Sequence, residues 1–561
     1  MCGIVGFWDF NAAADPAVLD RFTDAVAHRG PDGRGTFIDG GLGLGHRRLS
    51  ILDLSDAGKN PMPYGGADNR RYWITYNGEV YNFLELRAEL ETKGYVFRTG
   101  TDTEVVIAAY DAWGPDCLTR FNGMWAFAIW DTVERKLFLA RDRYGVKPLY
   151  FVTGAGKISF ASEIKAFLAL PDFKPALNGR IAAKAAQASA DIEGSELDTI
   201  MDGVRRLPAG HHVTISANGN MNLARWWDPA AHLPTVPVKY DDQVAAFREI
   251  FFDAVKVRLR SDVAVGTCLS GGVDSSSVAA AMAHVGGGGE RAAADWRRAF
   301  IASFPGTLID ETEHADVVAA HVGARPHHWV FDPNEALTHI IGSVWSMEEI
   351  YSGIAVPMWA LYRELRREGV LVSLDGHGGD ELLGGYPWYF DWPMSRVNDG
   401  LAHEFYQRLL PAILRNYDRC SMAHGIEVRM PLMDWRLVSF AMALPASSKI
   451  GGGYTKRVLR DAMTGLLPES IRLRRQKIGF NSPMIEWFNG GFAPVIEEII
   501  AHPLWKDSPY WDPRQFAVLA EKTRARSWTA DDFTLATKVW NPMNIVLWHR
   551  LFVEGKDRPS A

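Results

Sequence analysis

Cysteine pairing is the first thing this chain lacks. Its 561 residues hold four cysteines, Cys2, Cys117, Cys268 and Cys420, and no two of them form a CxxC pair. That spacing excludes a disulfide framework and a zinc knuckle, and it points to a reducing compartment, the cytoplasm. Long apolar runs are missing as well. Nothing approaches the ~18 apolar residues of a membrane-spanning helix, and the opening run is broken at Asp9 with no basic segment, unlike a signal peptide. The formal charge of -7 is mild and does not suggest a nucleic-acid partner. A Walker loop, GxxxxGK(S/T), is also absent.

What is present is ordinary globular composition, 47% hydrophobic and 23% charged, in a chain too long for one core. Two large domains or three smaller ones are expected. The first third reads as short strands and turns. Ile74–Tyr76 runs into Asn77-Gly78, a turn pair, while Met124–Trp130 and Lys136–Ala140 read as strands separated by a polar Asp131–Arg135. Helical patterns over Ala17–Ala27 and Phe83–Lys93 make this half a set of stacked sheets flanked by helices. A last strand pair surrounds Asn218-Gly219, after which Trp226–Val238 is proline-rich, lacks periodicity and reads as a connector. Beyond Asp241, helices alternate with strand candidates at Val263–Leu269, Ala299–Phe304, His328–Phe331 and Gly369–Leu374, which implies a parallel α/β sheet. Gly286–Gly289 reads as a surface loop and the region after Met430 as helical. The expected division is 2–215 for the first domain, 216–240 for a linker and 241–550 for the second domain.

Three places carry chemistry. If Met1 is removed, Cys2 gains a free α-amine that titrates at roughly 7.7–8.0, against about 8.5 for the thiol, so one residue supplies both nucleophile and base. Taken alone, a cysteine that merely follows the initiator methionine is the plainer reading. The second place is Ser270-Gly271-Gly272-Val273-Asp274-Ser275-Ser276, between a strand and a helix. Glycines and backbone N–H groups at a helix N-terminus suit a pyrophosphate, and Ser270 and Ser275 add hydroxyl donors. A carboxylate there repels phosphate unless a cation intervenes, so Asp274 is a candidate Mg²⁺ ligand; a plain turn capped by Ser and Asp has the same letters. The third is Asp375-Gly376-His377-Gly378-Gly379-Asp380-Glu381. It too follows a strand, and ligands of open parallel sheets sit beyond strand carboxyl ends. Both loops can face one ligand, with Asp380 as the second metal ligand. An acidic, glycine-rich turn is the alternative.

These pieces occur in the order of a known family. Over nearly all its length the chain resembles a class II glutamine amidotransferase of the glutamine-hydrolysing asparagine synthetase type. The resemblance rests on the amino-terminal Cys segment, His46-Arg47-Arg48-Leu49-Ser50-Ile51, Asn77-Gly78-Glu79, the Ser270 and Asp380 loops, Glu427-Val428-Arg429-Met430-Pro431 and Arg475-Gln476-Lys477. It implies an N-terminal four-layer αββα Ntn-hydrolase domain followed by a parallel-sheet α/β adenine-nucleotide α-hydrolase-like domain, the ATP-pyrophosphatase type. It further implies that Cys2 attacks the side-chain amide of glutamine and that Asn77 and the N–H of Gly78 form the oxyanion hole. Arg48 matches the clamp on the glutamine α-carboxylate, Asp102 the acceptor of its α-ammonium, and Glu79 a further glutamine-binding position. For the second domain the resemblance implies that ATP converts a carboxylate to an acyl-adenylate and that ammonia, having travelled inside the protein, displaces AMP. Leu269, Ser270, Gly271, Gly272, Asp274, Ser275, Ser303, Asp375 and Gly376 match the ATP site. Lys477 matches the lysine that neutralises pyrophosphate, and Lys456 matches a second cation of similar role. Mg²⁺ bound with ATP is the implied cofactor, and a homodimer is a further expectation.

Two departures lie in the acceptor half. Asparagine synthetases commonly carry a carboxylate where this chain has His377, between Gly376 and Gly378. A neutral imidazole there could deprotonate ammonia, hydrogen-bond a different substrate, or do neither. The segment Tyr351–Pro357 also has no cation, where some asparagine synthetases place an arginine that receives aspartate. Aspartate is the expected acceptor. The alternative is the same chemistry on another carboxylate, from a specialised-metabolite or envelope-polysaccharide pathway.

Overall fold

The computed structural model describes residues 1–66, 68, 70–154, 156–286, 288–307, 309–479 and 482–559. Three sheets organise them. The first has six strands in the order β10-β8-β9-β1-β3-β2: β1 (Gly3–Asp9), β2 (Gly33–Asp39), β3 (Leu42–Arg48), β8 (Tyr150–Gly154), β9 (Lys157–Ala161) and β10 (Arg205–Arg206). The second has the order β12-β11-β7-β6-β5-β4: β4 (Met62–Tyr64), β5 (Tyr72–Val80), β6 (Gly123–Asp131), β7 (Lys136–Arg141), β11 (His211–Ser216) and β12 (Met221–Arg225). All the pairings in both are antiparallel.

The two sheets face each other through a shared apolar layer that includes Ile4, Trp8, Leu44, Trp130 and Leu139. The helix Pro16–Asp24 covers the outside of the first sheet on β1 and β3, and the helix Asp102–Trp113 covers the outside of the second on β5. The result is the αββα Ntn-hydrolase arrangement. Strand β5 is covered on both faces, so Ile74–Val80 is buried without alternation.

That burial corrects one expectation. Asn77-Gly78 is not a turn but the middle of β5, with Asn77 opposite Ala126 and Gly78 opposite Trp125 on β6. A β-carbon on Gly78 would lie 2.4 Å from Met124 O and 2.6 Å from Trp125 Cα. The glycine therefore permits close approach of two strands rather than reversal of one. The other turn signal, Asn218-Gly219, does join two strands, β11 and β12. Because β12 completes the second sheet, the expected linker 216–240 begins with a hairpin, and the connecting segment starts only after Arg225.

The third sheet has the order β15-β14-β13-β16-β17, with every neighbour parallel. Its strands are β13 (Val265–Cys268), β14 (Arg298–Ser303), β15 (Arg325–Val330), β16 (Val372–Leu374) and β17 (Glu427–Arg429). The chain winds outward from β13 to β15, then returns to lay β16 on the other side of β13. The strand order reverses there, and a crevice opens beyond the carboxyl ends of β13 and β16. Gly286–Gly289 follows the helix Val273–Val285; residue 287 lies outside the described residues. Helices fill the chain past Trp435, ending in the twenty-residue helix Phe533–Phe552. Among the described residues no helix is long and apolar enough to cross a membrane.

Candidate active sites

The first site forms where β1 begins. The backbone N–H of Cys2 donates to Asn77 Oδ1 at 3.0 Å. Asn77 is fully buried, and its Nδ2 has no hydrogen-bond partner. A buried, unsatisfied amide donor beside a nucleophile suits a charge that appears only during reaction. Burial pushes the Cys2 thiol above its ordinary range, a shift opposed by the α-ammonium of Met1, a backbone hydrogen bond with Leu49 and the Arg48 charge. The thiol thus needs a base rather than standing ready as thiolate. His46 is not placed to titrate for it. Burial lowers that imidazole to about 3, and its Nε2 faces the Tyr76 carbonyl at 3.0 Å.

Arg48 ends β3 and is almost wholly buried. Its Nη1 donates to Ser55 O at 2.7 Å and its Nη2 to the carbonyls of Asp53 and Leu52. Asp53 adopts a left-handed conformation, φ 52°, and its carboxylate accepts from the Gly100 N–H at 2.7 Å. That contact joins the Arg48 loop to the segment leading into Asp102. Asp102 opens the helix Asp102–Trp113, capped by Thr101, and accepts from Tyr76 Oη at 2.8 Å and Val80 N at 2.9 Å. Burial raises its carboxyl to about 6. Burial, Glu427 and Asp102 raise Glu79 well above the carboxylate range. Glu427 belongs to β17, so the second domain supplies one of these acids. The α-ammonium of Met1 sits 2.9 Å from Glu427 Oε2, both groups fully buried, and it also lowers the pKa of Glu79 and Asp102. The chain's own α-ammonium thus pairs with Glu427, and Glu79 and Asp102 lie close enough to feel its charge.

The second site lies in the β13–β16 crevice, a cavity of about 570 Å³. The loop after β13 presents Leu269, Ser270 and Gly272 to it, and the helix Val273–Val285 starts with no side chain capping its N-terminus. Its first N–H groups are therefore open to an anion. Ser270 and Ser275 hydroxyls lie 3.1 Å apart. Gly271, at φ +72°, turns away from the cavity onto the next helix, where a β-carbon would lie 2.6 Å from Ala315 N. The loop after β16 packs directly on the first. A β-carbon on Gly376 would meet Ser275 N and Asp274 C at 2.7 Å, and one on Gly379 would meet Asp274 Oδ1 at 2.6 Å. The two glycine loops do face one cavity.

Asp274 and Asp380 meet there through Lys456, which contacts Asp274 Oδ2 and lies 2.6 Å from Asp380 Oδ1; Lys477 Nζ is 2.8 Å from Asp380 Oδ2. Burial raises Asp274; for Asp380, burial is outweighed by Lys456 and Lys477, and the carboxyl falls below the ordinary range. Asp274 Oδ1 remains buried without a hydrogen-bond partner. Two hard oxygen donors at a phosphate loop, one with an unspent oxygen, fit the coordination chemistry of Mg²⁺. Asp375 accepts from Tyr362 Oη at 2.7 Å, Ser373 Oγ at 2.6 Å and Cys268 N at 3.1 Å, so it ties β16 to β13. His377 lines the cavity with its ring centroid 3.5 Å from that of Tyr417. Ser303 stands apart from the other expected ATP residues. Its hydroxyl turns to Asp310 at 3.5 Å, while its neighbours Ala302 and Phe304 line the cavity.

Sequence reasoning passed over Arg460 and Arg474, both on the cavity wall. Arg474 stands two residues before Gln476 in a run of three cations with Arg475 and Lys477, a signal that was readable. Arg460 sits in a helix with no motif around it.

A cysteine-dependent glutaminase sandwich joined to a parallel-sheet nucleotide domain defines a glutamine amidotransferase of the ligase class. A glutamine amidotransferase domain model matches residues 1–227, and an asparagine synthase model matches residues 246–403 and 394–550. The chain belongs to the asparagine synthase family. Asparagine synthetase [glutamine-hydrolyzing] 1 of Bacillus subtilis is 27% identical, across 100% of this chain and 98% of that protein. Asparagine synthetase [glutamine-hydrolyzing] 3 of the same organism is 31% identical across 85% and 86%. A putative asparagine synthetase [glutamine-hydrolyzing] of Mycobacterium tuberculosis is 31% identical across 100% and 98%. The protein is an enzyme that combines glutamine amidotransfer with ATP-dependent amidation.

Proposed function

We propose that the enzyme hydrolyses glutamine at Cys2 and delivers the ammonia to a carboxylate activated by ATP, converting aspartate to asparagine with release of AMP and pyrophosphate. The observation that carries the glutaminase half is the orphaned Nδ2 of buried Asn77, beside Cys2. Cys2 Sγ attacks the amide carbon of glutamine while the Cys2 amine, freed by loss of Met1, takes the thiol proton. Asn77 Nδ2 and the Gly78 N–H donate to the oxyanion, and the amine returns the proton to the departing ammonia. Water then releases glutamate from the thioester. Loss of Met1 also empties the ammonium position among Glu79, Asp102 and Glu427, where the glutamine α-ammonium binds, with Arg48 on its α-carboxylate.

In the second domain the helix Val273–Val285, Ser270 and Ser275 hold the pyrophosphate portion of ATP, and Lys477 and Lys456 neutralise the charge that leaves with it. Asp274 and Asp380 would hold Mg²⁺, which when bound offsets triphosphate charge. His377 accepts a proton from the attacking ammonia. The test is ATP–pyrophosphate exchange with a panel of carboxylic acids. Exchange promoted by aspartate supports this acceptor, and its absence where another acid succeeds refutes it.

A second acceptor is favoured by two local features. Tyr386 and Trp388 stack at 4.3 Å and 7°, both line the cavity, and Trp388 is 46% exposed. The segment Tyr351–Pro357 also offers no cation to the cavity, and the carbonyls of Tyr351 and Gly353 are taken by Trp540. Those features suit a carboxylic acid with a larger, less charged body than aspartate. In the same exchange assay such an acid would outpace aspartate.

A further inference from the structure

The helix Phe533–Phe552 carries His549 in its last turn. The chain leaves that helix by folding back: the Glu554 N–H donates to the His549 carbonyl at 3.1 Å, which returns the Glu554 side chain to the His549 ring. A second segment reaches the same spot. His502 follows the helix Ala493–Ala501 and caps the short helix Pro503–Lys506. His502 Nε2 lies 3.0 Å from Glu554 Oε1, and His549 Nδ1 lies 3.3 Å from the same carboxylate oxygen. Ligand-capable atoms of the three side chains all fall within 4.8 Å of one another. None of the three lines the nucleotide cavity.

We propose that His502, His549 and Glu554 form a binding site for a borderline divalent cation, Zn²⁺ by preference, outside both reaction sites. Two imidazole nitrogens and one carboxylate oxygen are a zinc donor set, with water left to complete a tetrahedron. Ligands held tetrahedrally at ~2.0–2.1 Å from the metal stand about 3.3 Å from one another, the spacing between His549 and Glu554. That contact is not a hydrogen bond. His549 Nδ1 is buried and has no hydrogen-bond partner, as befits lone pairs that aim at a shared point rather than at each other. Lys556 Nζ approaches the other oxygen, Oε2, at 2.9 Å, and leaves Oε1 to the imidazoles. His502 Nδ1 accepts from the Leu504 N–H at 3.2 Å, which keeps the ring proton on Nε2. The metal takes Nε2, the proton moves to Nδ1, and that long capping bond is given up. A second histidine–acid trio, His327 with Glu364 and Glu368, lacks this convergence. His327 turns opposite ring nitrogens to its two acids, at 3.2 and 3.9 Å, and Arg367 and Arg298 hold those carboxylates. Bound at the first trio, the ion ties the end of Phe533–Phe552 to the segment 493–506.

The test is equilibrium dialysis of the untagged chain against Zn²⁺, with excess Mg²⁺ to compete for Asp274 and Asp380. Wild type is compared with His549→Ala and Glu554→Gln. The wild type should bind about one Zn²⁺ at this site, and each variant should lose at least about tenfold in affinity for it. Zn²⁺ should raise Tm of the wild type and not of the variants, because a ligand of the folded state stabilises it by mass action. Co²⁺ should give the visible absorption of a four-coordinate ion in the wild type alone. Equal Zn²⁺ affinity in wild type and both variants overturns the proposal, as does a wild type that binds no Zn²⁺ in excess Mg²⁺. Glu554→Gln keeps the size of the side chain and one acceptor oxygen, so it decides the matter should His549→Ala fail to fold.

Discussion

The Cys2 N–H and Asn77 Oδ1 form a 3.0 Å hydrogen bond that fixes the Asn77 amide with its oxygen toward the nucleophile's backbone and its nitrogen unsatisfied. The orientation follows from strand register. Asn77 is held opposite Ala126 in the middle of β5, so its side chain is delivered by a sheet rather than by a loop. Orientation on a rigid element is what electrostatic stabilisation of a transient oxyanion requires.

Asn77→Asp is therefore the sharpest substitution at the first site. It preserves an acceptor for the Cys2 N–H and removes the donor. Glutaminase kcat is expected to fall about 10²–10³-fold, with little change in KM for glutamine and none in amide formation from ammonium. Glutamate release and ammonium-dependent synthesis, measured side by side, check this; an equal loss of both would mean that the substitution had disturbed the fold.

Asp102 sets a pH dependence. Burial raises its carboxyl to about 6, so the free enzyme carries the anion above that pH and the neutral acid below it. A glutamine ammonium pairs with the anion only. kcat/KM for glutamine is expected to fall as pH drops through about 6, by tenfold per unit once the group is protonated. Asp102→Asn should abolish that limb and lower kcat/KM at pH 8. An acid limb unchanged in the variant would assign the titration to another group.

Gly376→Ala tests the contact between the two nucleotide loops. Its β-carbon would fall 2.7 Å from Asp274 C and Ser275 N, and backbone cannot swing aside as a flexible side chain can. Separation of the loops pulls Asp274 from Asp380. ATP–pyrophosphate exchange should drop at least about tenfold, a loss of about 1.4 kcal/mol in transition-state stabilisation, while glutaminase activity persists. Loss of glutaminase in parallel would show that the damage is not local.

Much of this was legible in the letters, and the failures have physical reasons. Strands β13, β14 and β16 announce themselves because buried parallel strands are short apolar runs, and the loops after β13 and β16 carry glycines wherever backbone meets backbone. Asn77-Gly78 misled because a turn pair and a close strand crossing both call for glycine, and only the partner strand tells them apart. Strand β17, Glu427–Arg429, was invisible as a strand: two of its three residues are charged, yet all three are buried. Arg429 compensates for that burial by pairing with Glu427 at 2.6 Å and donating to the carbonyls of Arg258 and Arg260. Arg29 and Asp418, a buried ion pair, are 389 residues apart, and no local pattern predicts such a pair.

His377 yields the last prediction. Its ring packs on Tyr417, and its Nε2 is 3.5 Å from Asp375 Oδ2 and buried without a hydrogen-bond partner. Asp375 is itself held by Tyr362, Ser373 and Cys268, so it cannot turn to follow the imidazole. A base fixed at the cavity wall acts on the step in which ammonia loses a proton and not on the step in which ATP is attacked. His377→Ala should therefore leave ATP–pyrophosphate exchange within about threefold and slow amide formation from ammonium by about 10²-fold, the lower end for general-base catalysis. His377→Gln, which restores bulk and a polar group but no base, should be as slow as His377→Ala. Recovery of the rate with Gln would make His377 a residue that shapes the cavity, and an unchanged rate in both variants would remove it from the reaction.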